Sequence, residues 1–214
     1  MAKKIFTNQI DEKSLVLLSL YFFQPILIFW GLTKTPINFE FVISPFIYLV
    51  AVLISLFLLL LFNKQIFKER TDQSIYLATA LVGNTGNLGI PLGIALFGVE
   101  SVPYTSIINI ANTLFIYVFS VYFFAREKFL LKDAILAIFK IPGIWFAILA
   151  LIINYNGITI DKSISIALEM GAYTSIIIQL VIFGIYLYNV KIKSMPWHLS
   201  LHISFVKHIL LPVV

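Results

Sequence analysis

The sequence predicts an all-α membrane protein: a multi-span helical bundle, built on a partial inverted repeat, with one span broken near its middle. Three observations carry that prediction. Of its 214 residues, 60% are hydrophobic and 12% charged, with a mean hydropathy of +0.99, whereas soluble domains carry about 25% charged residues. Apolar runs long enough to cross a bilayer recur along the chain. Inside one of them, residues 83–91 read "GNTGNLGIP", a string of helix-breaking and polar residues in an otherwise oily segment. A soluble core of this size could not hide 20 phenylalanines and long Ile and Leu runs.

The spans follow in order. Candidates run from about Ser14 to Thr33, Phe41 to Phe62, Ile75 to Phe97 and Tyr104 to Phe124. A shorter one covers Ile141 to Ile153, a long one Ile164 to Tyr188, and a last apolar stretch begins near Leu199. Pro25 lies inside the first and Pro91 inside the third. In lipid such breaks persist only where neighbours or water satisfy the freed backbone groups. The link "AREKFLLKDAILAIFK" (125–140) is amphipathic; it is expected either to lie along the interface or to serve as a simple polar connection. "MAKKIFTNQIDEKS" is no signal peptide, because polar residues follow the lysines where an apolar region is required.

The loops set the orientation. Lys3, Lys4 and Lys13; Lys64, Lys68 and Arg70; Arg126, Lys128, Lys132 and Lys140; and Lys191 and Lys193 fall on one side. Lys34 and Lys162 fall on the other. Twelve against two is a strong positive-inside bias, so residue 1 is expected on the cytoplasmic side of a multi-pass protein of the cytoplasmic membrane. The net charge of +5 reports this orientation; the basic residues form no stripe for nucleic acid.

An internal repeat is visible. "QIDEKSL" (9–15) resembles "TIDKSIS" (159–165), and "FQPILIF" (23–29) resembles "IQLVIFG" (178–184). An odd number of spans separates the copies, so they are inverted across the membrane. Residues 1–140 then read as a first repeat and 141–214 as a second. The partner of the 141–153 span would precede Met1, and copies of the third and fourth spans would follow Val214; the chain is expected to be clipped at both ends.

The broken span carries the candidate site. Gly83, Gly86 and Gly89 let the backbone leave helical geometry cheaply. Pro91 has no N–H and disfavours helix at Ile90. A half-helix starting near Pro91 presents unpaired N–H groups and about half a positive charge, which suits an anion. The carbonyls ending the preceding half suit a cation or a proton-bearing group. Asn84, Thr85 and Asn87 add hydrogen bonds without burying a charge. The alternative is a glycine packing face or a plain proline kink. Inverted repeats with broken helices are a transporter signature.

The chain resembles the auxin efflux carrier family of membrane permeases, which includes the plant PIN proteins. The resemblance rests on "ALVGNTGNLGIPLGIALFG" (80–98), with support from "LSLYFFQPILIFWGL" (18–32), "FKIPGIWFAILALI" (139–152), "VIFGIYL" (181–187) and "KHILLPVV" (207–214). It implies ten helices in two inverted five-helix repeats, whose fourth and ninth helices are broken and cross near the midplane. By that pattern this chain holds family helices two to seven and the start of the eighth. The implied activity is secondary transport of small organic anions such as malate, malonate or an auxin-like acid, by alternating access. Segments 14–33, 141–153 and 163–188 would form the scaffold and 41–124 the moving part. No cofactor is implied; coupling to H+ or Na+ is left open, as is a homodimer. The partners otherwise expected are the lipid bilayer and a small carboxylate, with no nucleic acid. The alternative is a truncated, non-transporting fragment of such a carrier.

The substrate-binding set expected from these arguments is Asn84, Thr85, Gly86, Asn87, Gly89 and Pro91, with Gln24, Gln179 and Asn112. Gln24 and Gln179 are repeat-related amides that face substrate or else hydrogen-bond between helices. Asn109, Asn112 and Thr113 share one helix face and serve a substrate path or packing. Glu169, an acid inside a span, takes part in proton coupling or meets water at a helix end. No enzyme is expected. The chain has no cysteine, and His198, His202 and His208 do not form H-E-x-x-H. "GNTGNLG" is neither a P-loop nor G-x-G-x-x-G, and G-x-S-x-G is absent.

Overall fold

A computed structural model describes residues 11–34, 36–125 and 131–214. The predicted positions of Met1, Lys3, Lys4, Thr35, Arg126 and Lys128 lie outside the described residues. Helix α1 spans Glu12–Thr33 and α2 Phe39–Ile66. The third predicted span is two helices, α3 (Arg70–Thr79) and α4 (Thr85–Phe97). Then come α5 (Val99–Phe123), α6 (Leu131–Phe139), α7 (Pro142–Tyr155) and α8 (Lys162–Asn189). The last, α9, opens as Trp197–Phe205 and runs on through Val206–Leu210 to Leu211–Val213. Among the described residues α1, α2, α5 and α8 are long and apolar enough to cross a membrane, which places the chain in a lipid bilayer.

The helix ends follow local chemistry. Asp11 caps α1 by accepting the Lys13 N–H at 3.2 Å, and Asp161 caps α8 by accepting that of Ser163 at 2.8 Å. The two caps belong to the paired segments "IDEKS" and "IDKS". The Ser14 hydroxyl beside Asp11, and the Ser163 N–H beside Asp161, hold both carboxyls below their ordinary 3.8.

Three of the prolines inside helices share one device. The bonding widens to a π turn at Ser19–Phe23, Thr85–Gly89 and Val206–Leu210. Pro25, Pro91 and Pro212 each stand two residues beyond such a turn, at the start of a fresh α segment where no N–H is required. Pro45 in α2 has no such turn. Its missing donor leaves the Phe41 carbonyl, and the Ser44 hydroxyl bonds to that oxygen at 3.0 Å.

The chain forms two compact units, interleaved in sequence. One comprises Met1–Asn38, Asn84–Ile107 and Ile141–Lys191; the other Phe39–Gly83, Ile108–Lys140 and Ile192–Val214. In the first, Leu27, Trp30, Ile90, Val102, Ala172 and Ile176 form the core. Small residues allow close approach: a β-carbon on Gly31 would lie 2.7 Å from the Ser106 hydroxyl, and one on Gly143 2.9 Å from Ile28. Residues 84–107, which the resemblance groups with the moving part, thus pack with α1 and α8. In the second unit, Val52, Leu56 and Leu59 of α2 meet Tyr76, Leu77, Ala80 and Leu81, with Phe67, Phe115, Leu199 and Val206. The inward stripe of α2 is narrow; Phe57, Leu60 and Leu61 are exposed, as suits a lipid-facing surface. In the predicted interfacial link, α6 packs on α5, with Ile138 buried and Lys132, Leu136 and Phe139 exposed.

Candidate functional site

The interruption begins one turn before Gly83. After α3, Ala80 still bonds back to Tyr76 at 2.9 Å, and Val82 to Thr79 at 3.3 Å; residues 82–84 are in no helix. Bonding resumes when Leu88 and Gly89 both donate to the Asn84 carbonyl, at 3.1 and 3.0 Å. It stays widened through Gly89, and Ile90 closes the π turn on Thr85. Asn84 itself sits off the helical region at φ −85°, ψ 57°. The span is therefore broken over the predicted motif, and the opening extends back to Ala80.

Asn112 holds the end of the first half. Its Nδ2 donates to the Gly83 carbonyl at 2.9 Å, and its Oδ1 accepts the Tyr48 hydroxyl at 2.8 Å. Asn112 is 2% exposed. Both ends of its amide are thus engaged, one of them at the broken end. Thr113 bonds within the helix to the Asn109 carbonyl at 2.8 Å. Tyr48 is the member sequence reasoning missed; it lies 64 residues from Asn112 in a span with no polar motif of its own.

The start of the second half is different. Among the described residues no acceptor takes the N–H of Gly86 or Asn87, as expected ahead of the first helical bond. Among them, too, the side-chain amides of Asn84 and Asn87 make no hydrogen bond. Asn84 is exposed, Thr85, Asn87, Gly89 and Pro91 are half-buried, and Gly86 is buried. No charged residue occurs between Asp72 and Glu100, so the broken span itself contributes only the partial charges of its helix ends.

This segment packs against α8, where Ile90 meets Ala172 and Ile176. Gln179, one turn on from Ile176, is fully buried; its Nε2 donates to Ser175 at 3.1 Å while its Oε1 has no donor. Gln24 is half-buried at the start of the α segment that follows the first π turn. Neither glutamine is joined to the break by a hydrogen bond among the described residues. Glu169 lies 4.0 Å from Lys34, whose ammonium sits 5.0 Å from the Trp30 ring centre. Both partners are more than a third exposed or close to it, so the pair contributes little to stability. Among the described residues no three His, Cys, Asp or Glu gather as a metal-ligand set.

The arrangement offers two N–H groups, two unengaged amides and a helix N-terminus to a ligand. A family model described as membrane transport protein matches residues 1–133, which include the whole broken span. No curated protein and no solved structure matches the chain.

Proposed function

The chain belongs to the membrane transport protein family, a family of transporters rather than enzymes and of the auxin efflux carrier kind that its sequence resembles, and on that premise we propose that it carries small organic anions across the cytoplasmic membrane by secondary transport. The observation that supports this reading is the start of α4. There the N–H groups of Gly86 and Asn87 and the amides of Asn84 and Asn87 lack protein acceptors or donors among the described residues. A carboxylate satisfies such donors and is favoured by the positive end of the helix. Thr85, Gly89 and Pro91 shape the turn, Gln179 and Gln24 flank it from supporting helices, and Asn112 keeps the first half-helix from fusing with the second. In this reading the copies of the repeat are inverted, and motion of one group of helices past another exposes the site alternately to each face, with coupling to H+ or Na+ left open. The 12-to-2 basic bias supports an orientation with residue 1 on the cytoplasmic side.

The test is uptake of radiolabelled small carboxylates into proteoliposomes holding the 214-residue chain. Saturable uptake above protein-free vesicles, and none of the matching amides, is expected. Folded protein with no uptake would support the reading as a non-transporting fragment.

A further inference from the structure

A cavity of about 480 Å³ in the first unit opens where α1 ends and α8 begins. Cavities of this volume hold small ligands. Lys34, Thr159 and Ser165 give it polar walls, and Ile153, Ile160 and Leu168 apolar ones. The frame around it is fixed. The Asn154 amide donates to the Leu32 carbonyl at 2.6 Å and ties the end of α7 to that of α1. Gly157, at φ 62°, turns the chain from α7 towards α8. None of these residues belongs to the broken span. Because α1 and α8 cross the membrane, their adjoining ends lie at the level of the lipid headgroups. The connecting loop has the composition of that layer: Tyr155 is 83% exposed and Ile158 57%, a few residues from the charged Asp161 and Lys162.

Lys34, the charged residue of the wall, is positioned but loosely paired. The face of Trp30 holds it, with the ammonium 5.0 Å from the ring centre. Trp30 is itself buried and packs on Tyr173, their ring centres 5.7 Å apart. The Lys34 ammonium lies 4.0 Å from the Glu169 carboxylate, beyond hydrogen-bond reach, and both side chains are partly exposed. Among the described residues neither side chain has another charged partner. So open a pair exchanges partners at little cost. The cavity thus offers a positive and a negative group side by side, with a net charge of zero.

We propose that this cavity holds the headgroup of a phosphatidylethanolamine of the bilayer, its phosphate on Lys34 and its ammonium on Glu169. The headgroup carries two opposite charges joined by a two-carbon link. It replaces the single loose Lys34–Glu169 contact by two charge-assisted ones and leaves no charge uncompensated. The apolar walls and the exposed Ile158 meet the glycerol end of the lipid. An anionic headgroup would set a second negative charge against Glu169, and the trimethylated ammonium of phosphatidylcholine has no N–H to give it, so the pair selects at both ends. The inference does not use the reading given to the broken helix.

The test is native mass spectrometry of the full 214-residue chain, released from micelles holding equal amounts of dioleoyl phosphatidylethanolamine, phosphatidylcholine and phosphatidylglycerol. Retained phosphatidylethanolamine should exceed each of the other two about tenfold, since a hydrogen bond to a charged group is lost with either. Glu169→Gln should remove the preference over phosphatidylcholine, and Lys34→Gln should lower retention about tenfold. Lys34→Arg should keep both, and Lys193→Gln, at an exposed position of the other unit, should alter neither. Equal retention of the three lipids by the unaltered chain, or an unchanged preference in a folded Glu169→Gln protein, would overturn the proposal. Should Glu169→Gln or Lys34→Gln fail to fold, the lipid comparison on the unaltered chain decides. Binding of glycerophosphoethanolamine, which has the headgroup and no acyl chains, as tightly as the lipid would assign the cavity to a soluble zwitterion and overturn the claim for a membrane lipid.

Discussion

The side-chain amide of Asn112 donates to the backbone carbonyl of Gly83 at 2.9 Å, and that one bond ties the open end of α3 to a neighbouring helix. A helix cut in the interior of a span leaves carbonyls that lipid cannot satisfy. Asn112 meets that need for Gly83, and the Tyr48 hydroxyl, 2.8 Å from its Oδ1, fixes which way the amide faces.

We predict that Asn112→Leu destabilises the protein by about 1–3 kcal/mol, because it leaves both the Gly83 carbonyl and the Tyr48 hydroxyl, each part-buried, without this partner. Tyr48→Phe should cost about 1 kcal/mol, since only one neutral bond is lost. Thermal unfolding in detergent, followed by circular dichroism, gives the comparison. A Tyr48→Phe cost equal to that of Asn112→Leu would show that the amide does not serve the broken end.

The helix caps supply a prediction in pH. Hydrogen bonds from the Ser14 hydroxyl to Asp11, and from the Ser163 N–H to Asp161, hold the two carboxyls below 3.8. A carboxyl whose folded value is depressed stabilises the fold above its unfolded value, and the contribution disappears as pH falls through the folded value. The wild type should therefore exceed Asp161→Asn in melting temperature at pH 6, and the gap should close below pH 3.8. A gap that is constant from pH 6 to pH 3 would mean that the charge on Asp161 plays no part in the cap.

Topology is predicted from the loops. Cysteines placed at Lys68 and at Thr35 should react with a membrane-impermeant maleimide from opposite faces. Reaction from the same face would sink the order of spans.

Much of this was legible in the residues, for physical reasons. Long apolar runs with few charges must cross the bilayer, so α1, α2, α5 and α8 fall close to their predicted bounds. "GNTGNLGIP" contains the residues that helices exclude, so the break itself could be read. Its limits could not, because the loosening back to Ala80 depends on what packs there. Gly83 needed a partner, but nothing local says that the partner is Asn112 or that Tyr48 orients it; that pairing spans 64 residues in one case and 29 in the other. Pro25 was visible as a threat to its span, yet the π turn that absorbs it is a property of the folded ladder. The shared "ID…KS" caps of α1 and α8 were visible as text and have a common structural meaning, whereas Gln24 and Gln179 differ in burial and bonding despite their pairing in the repeat.

The central claim is that the start of α4 holds the anion, and binding of a radiolabelled small carboxylate to purified, folded variants tests it most directly. Asn84→Ala and Asn87→Ala should each weaken binding about tenfold, the worth of one hydrogen bond to a charged group, while the adjacent, exposed Leu88→Ala should leave affinity unchanged. Affinities for both asparagine variants equal to wild type would contradict the account and make the polar break a purely structural feature.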